Sequence, residues 1–187
     1  MINLYHAGFN IIENPDIHYG RKNADFGQGF YTTDSLDFAR RWAREKPGAD
    51  VIINSYSLDT SSLKIKEIKR DTEWFEYIFA NRRQKPDIYA EYDVIIGPIA
   101  NDTIYDTLGI ITSGFLSDEE AMKLLMVGPC FRQIVLKSER AASNLKFLSS
   151  QVLSGDDIAE VRVKFAQDNE LFQAEFATAM EELEKDM

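Results

Sequence analysis

The chain holds a single cysteine, Cys130, so no disulfide can form within it. That suits a reducing compartment, and a cytoplasmic location is expected. Histidine is equally scarce. There are two, His6 and His18, and no His/Cys cluster has zinc spacing, so no structural metal is expected. No run of about 18 apolar residues occurs, so no membrane span is expected. Met1-Ile-Asn-Leu-Tyr5 lacks the basic region and apolar stretch of a signal peptide and reads as a first strand. Excess positive charge is also missing: the formal balance is −10. Such a surface disfavours nonspecific binding to nucleic acid or an anionic membrane. It still permits an anionic small ligand, because a few local cations can reverse the field in one cleft. Arg21 and Lys22 are placed to do so, although by position alone they read as solvated loop charges.

What the chain does have is apolar residues, 44% of 187, enough for one domain with a sizeable core. Residues 1–153 read as that domain and 154–187 as an acidic helical extension. Ile2–His6 reads as a strand, residues 8–25 as a polar loop, and Gly29–Thr33 as a second strand. A helix capped by Asp34 or Ser35 is expected to run to about Lys46, with Leu36, Ala39, Trp42 and Ala43 on its buried face. Val51–Leu58 alternates as a strand does, and Leu63–Ile68 is its expected hairpin partner. Thr72–Arg82 has helical spacing. Tyr92–Ile96 is an apolar strand ended by Gly97-Pro98, and Thr103–Leu108 is ambiguous. Ser117-Asp-Glu-Glu120 has the form of a capping box, Gln133–Lys137 and Leu145–Leu148 read as late strands, and two amphipathic helices are expected at about 156–167 and 169–185. Strands come early and late without regular strand–helix alternation, which predicts an α+β fold.

The densest pattern is Asp25-Phe-Gly-Gln-Gly-Phe-Tyr-Thr-Thr33, which follows a strand ending on His6. Glycines so spaced let a backbone turn sharply or approach a flat ligand closely. Tyr31 then emerges on a strand, where its ring can form one wall of a slot. Together they predict a pocket for a planar, polar ligand.

Leu4-Tyr-His6, then Phe26-Gly-Gln-Gly-Phe-Tyr31, then a helix, resembles the nicotinamide pocket of ADP-ribosyltransferases, in the branch containing poly(ADP-ribose) polymerases and diphtheria toxin. Over roughly residues 2–150 the chain also resembles an uncharacterised bacterial family that groups with these transferases. The resemblance implies two packed small antiparallel sheets with peripheral helices and a C-terminal helical tail. It implies NAD as substrate, with no metal. His6 sits where the family's histidine holds a ribose hydroxyl. Ala7 replaces a glycine whose backbone N–H and C=O hold the carboxamide. Tyr31 matches the tyrosine that stacks on the nicotinamide. Phe26, Gly27 and Gly29 match the loop that shapes the slot, and Arg21 precedes it. Trp42 matches a second stacking aromatic, although its helix position equally suits a core residue.

The third motif of the family is a glutamate on a late strand that stabilises the oxocarbenium-like ribose. Here Gln133 best matches it, and a shift of one residue would place Arg132 there. Glutamine can accept a hydrogen bond from the ribose 2′-hydroxyl, but it supplies no full charge to the developing cation. The alternative reading is that Gln133 simply caps a strand end. Asp25, Asp93, Asp102 and Glu139 are carboxylates that could compensate. The expected function is transfer of one ADP-ribose unit to a macromolecular acceptor, protein rather than nucleic acid given the charge. The alternatives are NAD binding without turnover and a protein-interaction module. The resemblance also admits a toxin held by an antitoxin partner.

Overall fold

In a computed structural model, which describes residues 1–43, 45–101 and 116–186, the N-terminal segment Ile2–Gly8 forms strand β1. A long loop leads to the short strand β2 (Phe30–Thr32). Ser35 caps helix α1 (Leu36–Trp42) by accepting from the Phe38 N–H. Then follow β3 (Ile52–Leu58), β4 (Ile65–Glu67), α2 (Thr72–Arg82) and β5 (Val94–Pro98). The remaining elements are α3 (Asp118–Leu125), β6 (Arg132–Leu136), α4 (Glu139–Ser143), β7 (Leu145–Val152) and α5 (Gly155–Asp186). The capping box at Ser117 and Glu120 is formed. No helix among the described residues is long and apolar enough to cross a membrane. Asp102 and Thr103–Leu108 lie outside the described residues.

The fold is α+β, with two small sheets. One has the order β1-β3-β7 and is antiparallel throughout. The other has the order β2-β6-β5-β4 and is mixed, because β4 and β5 run parallel. The expectation of two antiparallel sheets is corrected here, and so is the hairpin between β3 and the segment after it. Both edges of β3 are taken by β1 and β7, so β4 joins the other sheet instead. Helix α2 then carries the chain back to start β5 in the same direction, the crossover that parallel neighbours require. The two sheets are stitched where Tyr5 and Thr33 exchange backbone hydrogen bonds of 2.8 and 3.0 Å.

The four-stranded sheet is buried on both faces, which is why β5 and β6 read as continuous apolar runs. Val94, Ile96, Ile134 and Leu136 face the other sheet, packing with Leu4 and Tyr56. Ile95 and Val135 face a helical layer built on Trp74, Ile78, Leu124 and Phe172. Gly97-Pro98 does not end the strand as expected but belongs to it, and the Pro98 carbonyl accepts from Trp74 Nε1 at 2.8 Å.

Two helix expectations also change. Helix α1 ends at Trp42, and its buried face is Phe38 and Ala39, while Leu36 is exposed. Phe38 turns inward because its ring stacks on Phe131 with centroids 4.3 Å apart. The C-terminal segment is one helix of 32 residues rather than two. Neither glycine nor proline interrupts 156–186, and Asp168, at the expected break, is ion-paired to Arg41 of α1. Phe172, Phe176 and Leu183 seat this helix in the same core as α2 and α3.

Candidate functional site

Past the Tyr5–Thr33 bridge, β1 and β2 are no longer paired, and a cavity of about 710 Å³ opens beside them. That volume is in the range that holds a small-molecule ligand. His6, Tyr31 and Gln133, three residues far apart in sequence, all line it, with Arg21, Asp25, Gly29 and Trp42. Ala7 is not among the residues that line the cavity, although its neighbours His6 and Gly8 are. Tyr5 directs its N–H and C=O away from β3 and towards Thr33. Alternation along the strand sends those of Ala7 the same way, where they meet no backbone partner among the described residues.

His6 is fixed by a 2.8 Å hydrogen bond between Nδ1 and the Tyr31 carbonyl, and its ring lies 4.8 Å from Phe30. The carbonyl can only accept, so Nδ1 carries the hydrogen and Nε2 is left as an acceptor. Burial pushes the imidazole below its ordinary 6.5, against a smaller opposing effect of that backbone bond. His6 is therefore neutral at neutral pH.

The Tyr31 hydroxyl donates to the Gly27 carbonyl at 2.6 Å and accepts from the Phe26 N–H at 3.0 Å. Its ring is thus a rigid wall. Burial first, and the nearby Asp25 carboxylate second, push the phenol well above 10, so it stays protonated. The glycines do separate jobs. Gly27 has φ +69°, the left-handed conformation that turns its carbonyl back on Tyr31. Gly29 lets the loop press on β6, since a Cβ there would lie 2.7 Å from the Leu136 carbonyl oxygen.

Gln133 is almost fully buried, and its amide nitrogen donates to the Pro98 carbonyl over a long 3.3 Å. Its amide oxygen has no donor among the described residues, which leaves it available to a ligand hydroxyl. Arg132, the neighbouring alternative, points elsewhere and pairs with Asp34 and Glu67.

Not every residue singled out in the sequence reaches the cavity. Phe26 is a core residue, fully buried with its ring 5.6 Å from Tyr77. Gly27 lines a second cavity on the other side of the loop. Trp42 is half-buried rather than core; it stacks on Phe38 at 5.6 Å and lines the cavity. Asp25 lies in the cavity wall, but its Oδ1 takes two hydrogen bonds from Arg82 and its Oδ2 one from the Ala100 N–H. Asp93 is remote and structural. It accepts from the Lys64 N–H, the Ser138 hydroxyl and Arg140. Glu139 is exposed and faces His18 at 3.3 Å.

Sequence reasoning missed Asn54, which is fully buried opposite His6 on β3. Its amide donates to the Asn10 carbonyl at 2.9 Å and accepts from the Ile12 N–H at 3.0 Å, pinning the loop that carries Asn10, Asn14 and Asp16 along the cavity. The available signal was a polar residue on the strand face it shares with the apolar Ile52, Tyr56 and Leu58.

Over residues 2–147 the chain matches the model of the family described as Protein of unknown function (DUF3990). It belongs to that family. None of the curated proteins matches it.

Proposed function

We propose that this member of the DUF3990 family binds NAD in the large cavity and transfers one ADP-ribose unit to a macromolecular acceptor. The fold is read as that of an ADP-ribosyltransferase, in line with the sequence resemblance at His6 and at Phe26–Tyr31. The observation that carries the reading is the convergence of His6, Tyr31 and Gln133 on one cavity.

The residues present fit the ligand. The pinned Tyr31 ring offers a flat face for nicotinamide. The outward N–H and C=O of Ala7 suit a carboxamide, which needs one donor and one acceptor. Nε2 of neutral His6 accepts from a ribose hydroxyl, and the Gln133 amide oxygen accepts from another. Arg21 supplies the cation that a pyrophosphate requires in so acidic a chain. In the reaction, the bond from the anomeric carbon to the nicotinamide nitrogen breaks, and its electron pair leaves with nicotinamide. The acceptor nucleophile then forms its bond to the same carbon and loses its proton. Water in place of the acceptor gives hydrolysis. With a neutral amide in place of a carboxylate the cation is stabilised less, so turnover is slow and chain elongation is not expected. The charge of −10 favours a protein acceptor over nucleic acid.

Incubation with labelled NAD and cell lysate tests the proposal. Labelled acceptor and released nicotinamide are expected, both lost in His6→Ala. A second reading, NAD binding without turnover, is favoured by Gln133. It predicts saturable NAD binding by calorimetry with no release. No NAD binding at all would sink both readings. If the chain is a toxin held by an antitoxin partner, its expression alone arrests growth and His6→Ala relieves the arrest.

A further inference from the structure

The glycine loop has two faces, and the second one closes a separate cavity of about 390 Å³. Lys22, Lys85 and Lys137 line it with Gln28, Asn81 and Gln84; the Gln28 amide already donates to the His18 and Gly20 carbonyls, and the Asn81 amide to those of Asp25 and Tyr77. The carboxylates near it are Asp87, 3.1 Å from the Lys137 amine, and Glu139, which is engaged with His18 at the rim. Lys22 and Lys85 have no carboxylate partner among the described residues. Three lysines thus line one cavity in a chain whose balance is −10. The adjacent residues Arg21 and Lys22 therefore serve different cavities, Arg21 the first and Lys22 the second.

Two features indicate that this arrangement is built rather than incidental. The Lys137 side chain is only 8% exposed, and its amine is held by the Phe26 carbonyl as well as by Asp87. Gly27 keeps that amine approachable, because a Cβ there would lie 3.0 Å from it. The other feature is Gln84. At φ +53° it is the one non-glycine in the left-handed region among the described residues. It follows the Arg83 cap of α2, where the Lys85 N–H bonds the Ala80 carbonyl at 2.9 Å. Glycine is the usual residue at such a position and carries no steric cost. A glutamine there keeps an amide donor on the cavity wall, and strained residues of this kind concentrate where a ligand is held.

We propose that this second cavity binds a small phosphate-bearing anion, independently of the first. Lysine side chains from three segments, with the Gln84 amide beside them, match the several acceptor oxygens of a phosphate. The anion sits behind Tyr31. Lys137 donates to the carbonyl of Phe26, whose N–H donates to the Tyr31 hydroxyl, so the two cavities share one hydrogen-bonded residue.

Calorimetric titration with metal-free inorganic pyrophosphate, at low ionic strength and without NAD, tests the site. One-to-one binding is expected. It weakens at least tenfold in the Lys22→Glu/Lys85→Glu double variant, whose substitutions lie on exposed residues, and stays within twofold in Arg21→Ala. No saturable binding, equal affinity in the double variant, or loss confined to Arg21→Ala would overturn the proposal. Because NAD is left out, the outcome is separate from the reading of the first cavity.

Discussion

The paired strands β5 and β6 have polar residues at both ends, and the two ends are finished differently. At one end Asp93 is saturated. Its carboxylate takes the Lys64 N–H at 2.7 Å, the Ser138 hydroxyl at 2.7 Å and two donors of Arg140, and its carbonyl takes the Lys137 N–H. At the other end Gln133, opposite Gly97, makes one long bond and leaves its amide oxygen open to a cavity. Both groups are buried, and both were candidates in the sequence. What separates them is the state of their hydrogen bonds. A saturated buried group holds the fold together, whereas a buried group left with spare capacity in a cavity wall is one a ligand can complete.

This contrast can be broken by mutation, and the largest effect belongs to the saturated end. Asp93→Ala should cost about 3 kcal/mol in denaturant unfolding, since it strands a backbone N–H and removes the partner of Arg140. The same end has a pH signature. The Arg140 guanidinium, ahead of the other donors, holds the Asp93 carboxyl at about 2. Its folded value is depressed, so its contribution is complete above 3.8 and is lost as pH falls towards about 2, as acid unfolding followed by circular dichroism will register.

At the open end the next largest effect is chemical. On the NAD reading, Gln133→Glu restores a charge facing the developing cation, and nicotinamide release should rise by about 10²-fold in a single-turnover assay. If release is unchanged, Gln133 does not face the reacting carbon. His6→Ala should weaken NAD binding by about tenfold in calorimetry, the worth of one good hydrogen bond. Burial holds the imidazole below 6.5, and only the neutral ring accepts at Nε2. The fall in NAD affinity on acidification should therefore be centred below 6.5; a fall centred above 6.5 would contradict this. The smallest effect is on stability. Gln133→Ala should cost less than about 1 kcal/mol, because the Pro98 carbonyl keeps the Trp74 indole as donor. A cost equal to that of Asp93→Ala would erase the distinction between the two ends.

Local structure was legible wherever a pattern repeats within one element. The apolar spacing of Trp74, Phe75 and Ile78 marks α2, and the Ser117–Glu120 box marks the start of α3. His6 and Tyr31 stood out because they lie on short strands on either side of the glycine-rich turn, although β1 runs on past His6 to Gly8. Less legible were choices made between elements. Nothing within Ile65–Glu67 says that it pairs with β5 in parallel, since that depends on β1 and β7 having occupied β3. Phe26 resembled part of a slot because of its neighbours in sequence, yet Gly97 and Tyr77 leave a space in the core that its ring fills. The role of Asn54 depends on which loop passes over it.

The sequence by itself determined most of the helices and strands, the acidic balance and the glycine turn ahead of Tyr31, because each follows from residues within reach of one another along the chain. Only the tertiary structure decided that residues 6, 31 and 133 share one cavity, that Arg21 and Lys22 part to opposite sides of a loop, and that Asp93 is closed while Gln133 is open. Those outcomes depend on which buried donors and acceptors find partners, and partners more than a hundred residues apart are brought together by packing alone.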